Sequence, residues 1–343
     1  MINRNIFSKT NSGKVLMAVA GLGTAVLIKM IFSKLNRYDL RDKVVLITGG
    51  SRGLGLELAR VLATKGAKIA ICARNEQQLK VAGQELGSLT EVLAVRADLT
   101  NISEVNSLVQ QVVDHFGKLD VLINNAGVMI VGPENVMEIE DYHKVMDSNV
   151  WSALYATKAV MPQFLKRGSG RIVNICSIGG KVAVPHMLPY SVSKFAMVGL
   201  SQGMAAELGK HGVHVTTVIP SLMTTGSPRN VTIKGDHESE YAWFKIADSL
   251  PLLAQDSKKA AMSIVQAMEA GKKELTLTFV AKIATILTAL APGSITSMMQ
   301  FSDRFLPKSQ NKEAKKGYES ESNMTRGLVG SLTDDAAERN NEI

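Results

Sequence analysis

Tyr190 and Lys194 stand four residues apart in the segment Y-S-V-S-K, within a helical pattern, so both side chains leave one face of the helix. A free tyrosine has a pKa near 10 and is no base at neutral pH. An ammonium about 5 Å away, at an effective dielectric of about 20, is worth roughly 3 kcal/mol, which lowers a phenol by about two units. A phenol tuned in this way can give a proton to a carbonyl oxygen and take one back from an alcohol. A second chemical group lies upstream, where residues 43–55 read K-V-V-L-I-T-G-G-S-R-G-L-G. Strand, glycine-rich turn and amphipathic helix together seat a dinucleotide pyrophosphate on a helix N-terminus. An acid at the end of the next strand would bind a ribose 2′-hydroxyl and repel a 2′-phosphate. That position holds Ala73, followed by Arg74, and Arg52 in the turn is a second cation. Pairing a guanidinium with a phosphate contributes roughly 1.5–3 kcal/mol, so NADP(H) is the expected cofactor.

Further motifs fall in order behind these two. Asn124-Asn125-Ala126-Gly127 closes a second apolar strand, Asn149 lies in a long helical pattern, and Ser177 ends a strand thirteen residues before Tyr190. Order and spacing resemble the short-chain dehydrogenase/reductase family, whose pattern is T-G-x-x-x-G-x-G, N-N-A-G, Asn, Ser and Y-x-x-x-K. The resemblance spans roughly residues 41 to 275. It implies a catalytic set of Asn149, Ser177, Tyr190 and Lys194. Ser177 would hydrogen-bond the substrate oxygen, Lys194 would also hold ribose hydroxyls, and Asn149 would position a water that relays protons to Lys194. Cofactor contacts are implied for Thr48, Gly49, Ser51, Arg52, Gly53, Leu54, Gly55, Arg74, Asn125, Ala126, Gly127, Tyr190, Lys194, Pro220 and Thr225, with Asp98 at the adenine. Two positions depart from the pattern. Ser221 follows Pro220 where glycine is usual, and Ser152 stands three after Asn149 where glycine is common. Both are small, so tolerance is expected.

The elements that must position these groups alternate strand and helix from Lys43 onward. Strands are expected at 68–73, 92–97, 119–123, 171–176 and 213–219, with helices starting after Asn75, over 102–116, over 139–165 and around Tyr190 to about Leu208. Such alternation means an α/β fold of the Rossmann type, a doubly wound parallel sheet with helices on both faces. The expected organisation is a basic segment at 1–40 and a reductase domain at 41–278. An apolar helical extension at 279–306 and a polar, poorly ordered tail at 307–343 follow. Residues 221–253, with Tyr241, Trp243 and Phe244, sit where a substrate-covering segment belongs.

The 343 residues are 45% hydrophobic and carry a net charge of +8, and residues 1–45 account for +6 of it. Charge so confined does not describe a nucleic-acid-binding surface. Around the apolar run 15–32 it points to anionic lipid head groups. Eighteen helical residues span about 27 Å, just short of a hydrocarbon core of about 30 Å. A retained membrane anchor is the preferred reading, with a cleaved secretory signal and a mitochondrial targeting arm as alternatives. The run Phe279, Ile283, Ile286, Leu287, Leu290 has helical spacing on one face, suited to a membrane, the core or a homo-oligomer contact. Cys72 and Cys176 form no paired motif, and the six histidines show no ligand spacing, so a reducing compartment and no metal are expected. His186, between Ser177 and Tyr190, is open to a substrate-facing or a structural role. The expected activity is hydride transfer between NADP(H) and a lipophilic ketone, aldehyde or alcohol, by a membrane-associated enzyme with its catalytic domain in the cytoplasm. Alternatives are a tethered reductase of a small soluble carbonyl and a non-catalytic NADP-binding scaffold.

Overall fold

Val44–Thr48 (β1) is buried at all five positions, as a central parallel strand covered on both faces must be. It pairs in parallel with Lys68–Ala73 (β2) on one side and Val121–Asn124 (β4) on the other, and Val92–Arg96 (β3) lies beyond β2. The structure, a computed structural model, describes residues 37–249, 254–322, 325 and 328–343. Two compact units divide the chain, Met1–Asp39 and Leu40–Ile343, and the expected anchor at 15–32 lies outside the described residues. In the second unit, Gly170–Ile175 (β6), Val213–Ile219 (β7) and Glu274–Thr276 (β11) complete a seven-stranded sheet of order β11-β7-β6-β4-β1-β2-β3. Every neighbouring pair is parallel, so the fold is Rossmann-like. The strand order reverses between β1 and β4, and such sheets bind ligands in the crevice outside the carboxyl ends at that point.

The helices that cover the sheet are Gly53–Ala63 (α1), Glu76–Gly87 (α2), Ile102–Phe116 (α3), Ile139–Met146 (α4), Ser152–Arg167 (α5) and Leu188–Leu208 (α6). In α3 the buried side chains are Val105, Leu108, Val109 and Val112, one apolar stripe at helical spacing. Asn101 caps its start, and Gly117 ends it in the left-handed conformation at φ 77°. Asn75 caps α2 by accepting the Gln78 amide at 3.0 Å. The long helix expected over 139–165 is present and runs on to Arg167, but a π turn within it, Asp147–Trp151, breaks the regular α hydrogen bonding and carries Asn149. Its hydrophobic periodicity continues across the break, so sequence does not reveal it.

Smaller strands flank the carboxyl ends. Ile130–Val131 (β5) pairs with Thr232–Ile233 (β9), and Leu222–Thr224 (β8) pairs with Ala254–Asp256 (β10). His237–Ser249 (α7) and Ser257–Glu269 (α8) complete the domain. Beyond β11, Phe279–Leu290 (α9) and Pro292–Asp303 (α10) meet at a bend of 120°. Phe279, Leu290 and Phe305 are 76%, 77% and 75% exposed, far more than a core contact would leave. Among the described residues no single helix is long and apolar enough to cross a membrane. The bent pair passes that test together by length and composition only.

The tail corrects the expectation of poor order. Lys315–Lys316 (β12) pairs antiparallel with β9, and Leu328–Arg339 (α11) lies against α7. Ala336, Ala337, Asn340 and Glu342 are buried, and Asp334 pairs with the Lys245 ammonium at 3.3 Å. Two small apolar residues and two polar ones supply the contact, which a composition of mixed charge conceals.

Thr48 ties the two halves of the sheet. Its hydroxyl accepts the Asn125 amide at 2.9 Å and the Ala126 amide at 3.1 Å. Thr48→Val keeps the shape and removes the acceptor. Each amide left without a partner costs about 1–3 kcal/mol, so the urea midpoint of the valine variant should fall, while Thr48→Ser should keep most of the wild-type value. An unchanged midpoint in Thr48→Val would show that the clasp contributes nothing.

Candidate active site

The chemistry-bearing residues converge on the crevice between β1, β4 and β6. Tyr190 and Lys194 share one face of α6, with the Lys194 ammonium 5.6 Å from the centroid of the Tyr190 ring. Lys194 is buried and donates to the Ile175 carbonyl at 3.0 Å, which fixes its reach from behind. Ser177 stands two residues beyond the end of β6, and its Oγ accepts the Gly179 amide at 3.0 Å. A Cβ placed on Gly179 would stand 3.2 Å from Tyr190 Cε1 and 3.4 Å from Ser177 Oγ. The phenol ring and the serine hydroxyl thus meet over a residue with no side chain.

Asn149 is held by the main chain of Val128. Its Oδ1 accepts the Val128 amide at 2.7 Å, and its Nδ2 donates to the Val128 carbonyl at 3.0 Å and to Ser193 Oγ at 2.9 Å. The π turn that presents it is a feature found often at functional sites. A Cβ on Gly127 would lie 2.9 Å from Asn149 Oδ1 and 3.8 Å from Lys194 Nζ. Gly127 therefore brings the N-N-A-G turn against both catalytic candidates at once.

At the other end lies the glycine-rich turn. A Cβ on Gly55 would fall 2.1 Å from the Gly49 carbonyl oxygen, so only glycine lets α1 close on β1. Gly53 starts α1 at φ 55°, a conformation that suits glycine. Asn125 Nδ2 donates to the Thr48 and Gly49 carbonyls, both at 3.1 Å, and so braces the turn from β4. One cavity of about 650 Å³ connects Arg52, Arg74 and Asp98 with Ser177, Tyr190 and Lys194. Its size lies within the usual range of ligand sites, about 300–1,000 Å³. All the catalytic and cofactor-contact residues named from sequence line it except Thr48, Gly55 and Asn149, which stand behind its wall and hold it. A glycine cradle at one end and a proton donor at the other fit a nicotinamide dinucleotide.

The electrostatics differ between the two ends. Burial lowers the Arg52 pKa, Glu342 raises it and Arg74 lowers it further, leaving it below its ordinary value. Burial pushes the Asp98 carboxyl up, but hydrogen bonds from the Thr100 amide and hydroxyl, with Arg74 and Arg96 nearby, bring it below the usual range. Cys176 lines the reactive end, yet burial pushes its thiol up to about 12 against the pull of Lys194 and Lys181. A thiol in that state is no nucleophile.

Several lining residues carried no mark in the sequence. Met129, Val184 and Met187 join Trp243 and Phe244 around Tyr190, and apolar residues scattered over loops have no periodicity to reveal them. Asn230, Lys316 and Glu342 line the cavity as well. Asn230 accepts from Arg52 Nη1, a contact across 178 residues that no local pattern encodes. His186 does not face this cavity. It is buried at φ 60°, and its Nδ1 lies 2.7 Å from Glu240 Oε1. The other Glu240 oxygen accepts from Trp243 Nε1 at 2.7 Å, so His186 helps to fix the indole that does line the cavity.

Comparison with known proteins agrees with this geometry. The family model for short chain dehydrogenase matches residues 43–234. Dehydrogenase/reductase SDR family member 7B of Danio rerio is 33% identical over 268 residues, covering 76% of this chain and 85% of that protein. The Mus musculus protein of the same name is 29% identical over 307 residues, covering 87% and 93%. A crystal structure of a gluconate 5-dehydrogenase from Burkholderia cenocepacia in complex with NADP and tartrate superposes with a TM-score of 0.63. It is 26% identical and covers 73% of this chain and 99% of its own. A short-chain dehydrogenase from Streptomyces avermitilis gives a TM-score of 0.65 at 25% identity, covering 77% and 98%. With its motifs assembled on one crevice and its sequence matched over more than half its length, the chain belongs to the short-chain dehydrogenase/reductase family of nicotinamide-dependent oxidoreductases.

Proposed function

We propose that this protein is an NADP(H)-dependent reductase of a lipophilic ketone or aldehyde, working in reverse on the corresponding alcohol. The observation that carries this reading is the single cavity with two arginines at one end and Ser177, Tyr190 and Lys194 at the other. Bound NADPH would supply the hydride to the carbonyl carbon. Tyr190 Oη then gives its proton to the carbonyl oxygen, while Ser177 Oγ donates a hydrogen bond to the same oxygen. The Lys194 ammonium beside the ring provides a countercharge for the phenolate left behind. In alcohol oxidation the proton returns to Tyr190. Asn149, pinned to Val128, keeps the wall behind Lys194 fixed and is the residue we assign to a relay water.

Support for the phosphorylated cofactor comes from Ala73 at the end of β2, with Arg74 and Arg52 facing the cavity. The gluconate 5-dehydrogenase that superposes on this chain holds NADP. Support for a lipophilic substrate comes from Met129, Val184, Met187, Trp243 and Phe244 around the reactive end. Each large apolar group buried there is worth roughly 1.5–3 kcal/mol. Helix α10 lies near this end, since Val184 also lines a second cavity with Met299 of α10. We propose that α9, α10 and the basic N-terminal segment meet membrane lipid, with the catalytic domain on the cytoplasmic side.

Three measurements test the reading. Tyr190→Phe should lower turnover by about 10²–10⁴ while cofactor binding stays near the wild-type value. More than a tenth of the wild-type rate would remove Tyr190 from the mechanism. Fluorescence titration should give NADPH an advantage of about tenfold or more over NADH, largely lost in Arg74→Ala. Equal affinities for the two cofactors would refute the arginine assignment. Removing residues 1–38 should release much of the protein from membranes without loss of activity on a water-soluble carbonyl, and Phe279→Ser with Leu290→Ser should release the remainder. Full-length protein found wholly in the soluble fraction would refute the membrane assignment.

A further inference from the structure

The first turn of α1 is occupied by the chain itself. Among the described residues no side chain caps α1, and none in its first turn is acidic, so its leading amides need another partner. Gly53 N–H donates to the Asn340 carbonyl at 2.9 Å. Asn341 Nδ2 donates to the Ser51 and Gln78 carbonyls, both at 2.9 Å, and Gln78 returns a bond to the Asn341 carbonyl at 3.2 Å. Glu342 then turns its carboxylate inward. A Cβ on Gly53 would lie 2.9 Å from Glu342 Oε1, and one on Gly226 would lie 2.6 Å from Oε2. Glu342 thus fills the space that the glycine turn leaves clear. It is buried, it lines the cavity beside Arg52 and Arg74, and its Oε2 has no hydrogen-bond partner among the described residues.

A carboxylate at a helix N-terminus beside an arginine is placed where an anionic ligand gains most. The same amides and the same cation are the ones that the proposed cofactor reading assigns to phosphate, and the present inference rests on that reading. We infer that residues 340–343 compete with the nicotinamide dinucleotide for the first turn of α1, so that the cofactor-free enzyme holds itself shut and binding must displace the segment. The seat is reversible in character. It is made of a few hydrogen bonds and one carboxylate that burial pushes up to about 7 against the pull of Arg52, not of a deep apolar contact. When the segment leaves, Glu342 regains water and the unpartnered oxygen is satisfied.

Competition of this kind lowers apparent affinity by the fraction of molecules that are open, so a segment seated about 90% of the time weakens binding about tenfold. NADPH and NADH dissociation constants are measured by fluorescence for the full chain, for a chain ending at Arg339, and for Glu342→Lys. The last keeps the length but sets a like charge against Arg52. Both variants should bind both cofactors about tenfold or more tightly than the full chain. In the full chain, saturating NADPH should speed hydrogen exchange at the Asn340 and Glu342 amides, which bond to the Ala336 and Ala337 carbonyls. Unchanged or weaker binding in both variants, or unchanged exchange on saturation, would overturn the inference and leave the segment as a fixed part of the wall. Failure of all three proteins to bind either dinucleotide would instead overturn the cofactor reading beneath it.

Discussion

The hydroxyl of Thr48 is the point on which the site depends. It accepts two successive amides, from Asn125 and Ala126, while Asn125 sends its side-chain amide back to the Thr48 and Gly49 carbonyls. Four hydrogen bonds thereby lock the turn after β1 to the turn after β4, at the place where the strand order reverses. The sheet hydrogen bonds alone end at the strand termini and leave these turns free to part. With the clasp closed, Gly127 is carried against Asn149 and Lys194, and the glycine turn faces the same crevice. One wall of the site binds and the other reacts, and the distance between them is fixed by a single β-branched alcohol.

The wall around the reactive end is held by buried charge. Lys234 reaches Asp141 at 2.6 Å, and Glu240, fully buried, is shared between His186 and Trp243. Such groups are costly to desolvate and are retained only where hydrogen bonds satisfy them. Each ties a loop that lines the cavity to a helix beside it, Lys234 to α4 and His186 to α7. Apolar lining residues such as Met187 and Phe244 give no fixed orientation by themselves. The polar contacts behind them do.

Much of this was legible in the chain. Strands at 68–73 and 213–219, the cap at Asn75 and the helical pairing of Tyr190 with Lys194 follow from periodicities of two and 3.6 and from turn chemistry, all of which act within a few residues. Gly55 and Gly127 were legible as glycines, but what they touch was not. The break in the helix at Asn149 left no trace, because a π turn keeps the apolar stripe on one side. A buried polar chain from Asn124 through Asn174 to Ser201 and Thr217 joins three strands and α6, and nothing near any of these residues foretells it. The tail conceals its packing for the same reason. Asn341 meets Ser51 across 290 residues, and a sequence of mixed charge resembles a solvated one until its partner is known.

The two cysteines acquire a use from their positions. Cys72 lies in β2 and Cys176 follows β6, on opposite sides of the β1–β4 crevice, and both are buried. Burial pushes each thiol up to about 12, so neither offers appreciable thiolate to an alkylating reagent in the closed fold. Modification must wait for an opening of the half-sheet that contains it. The rates of labelling at the two positions, followed separately, therefore report whether the cofactor half and the reactive half of the domain open as one cooperative unit or in turn, without any probe having to be introduced.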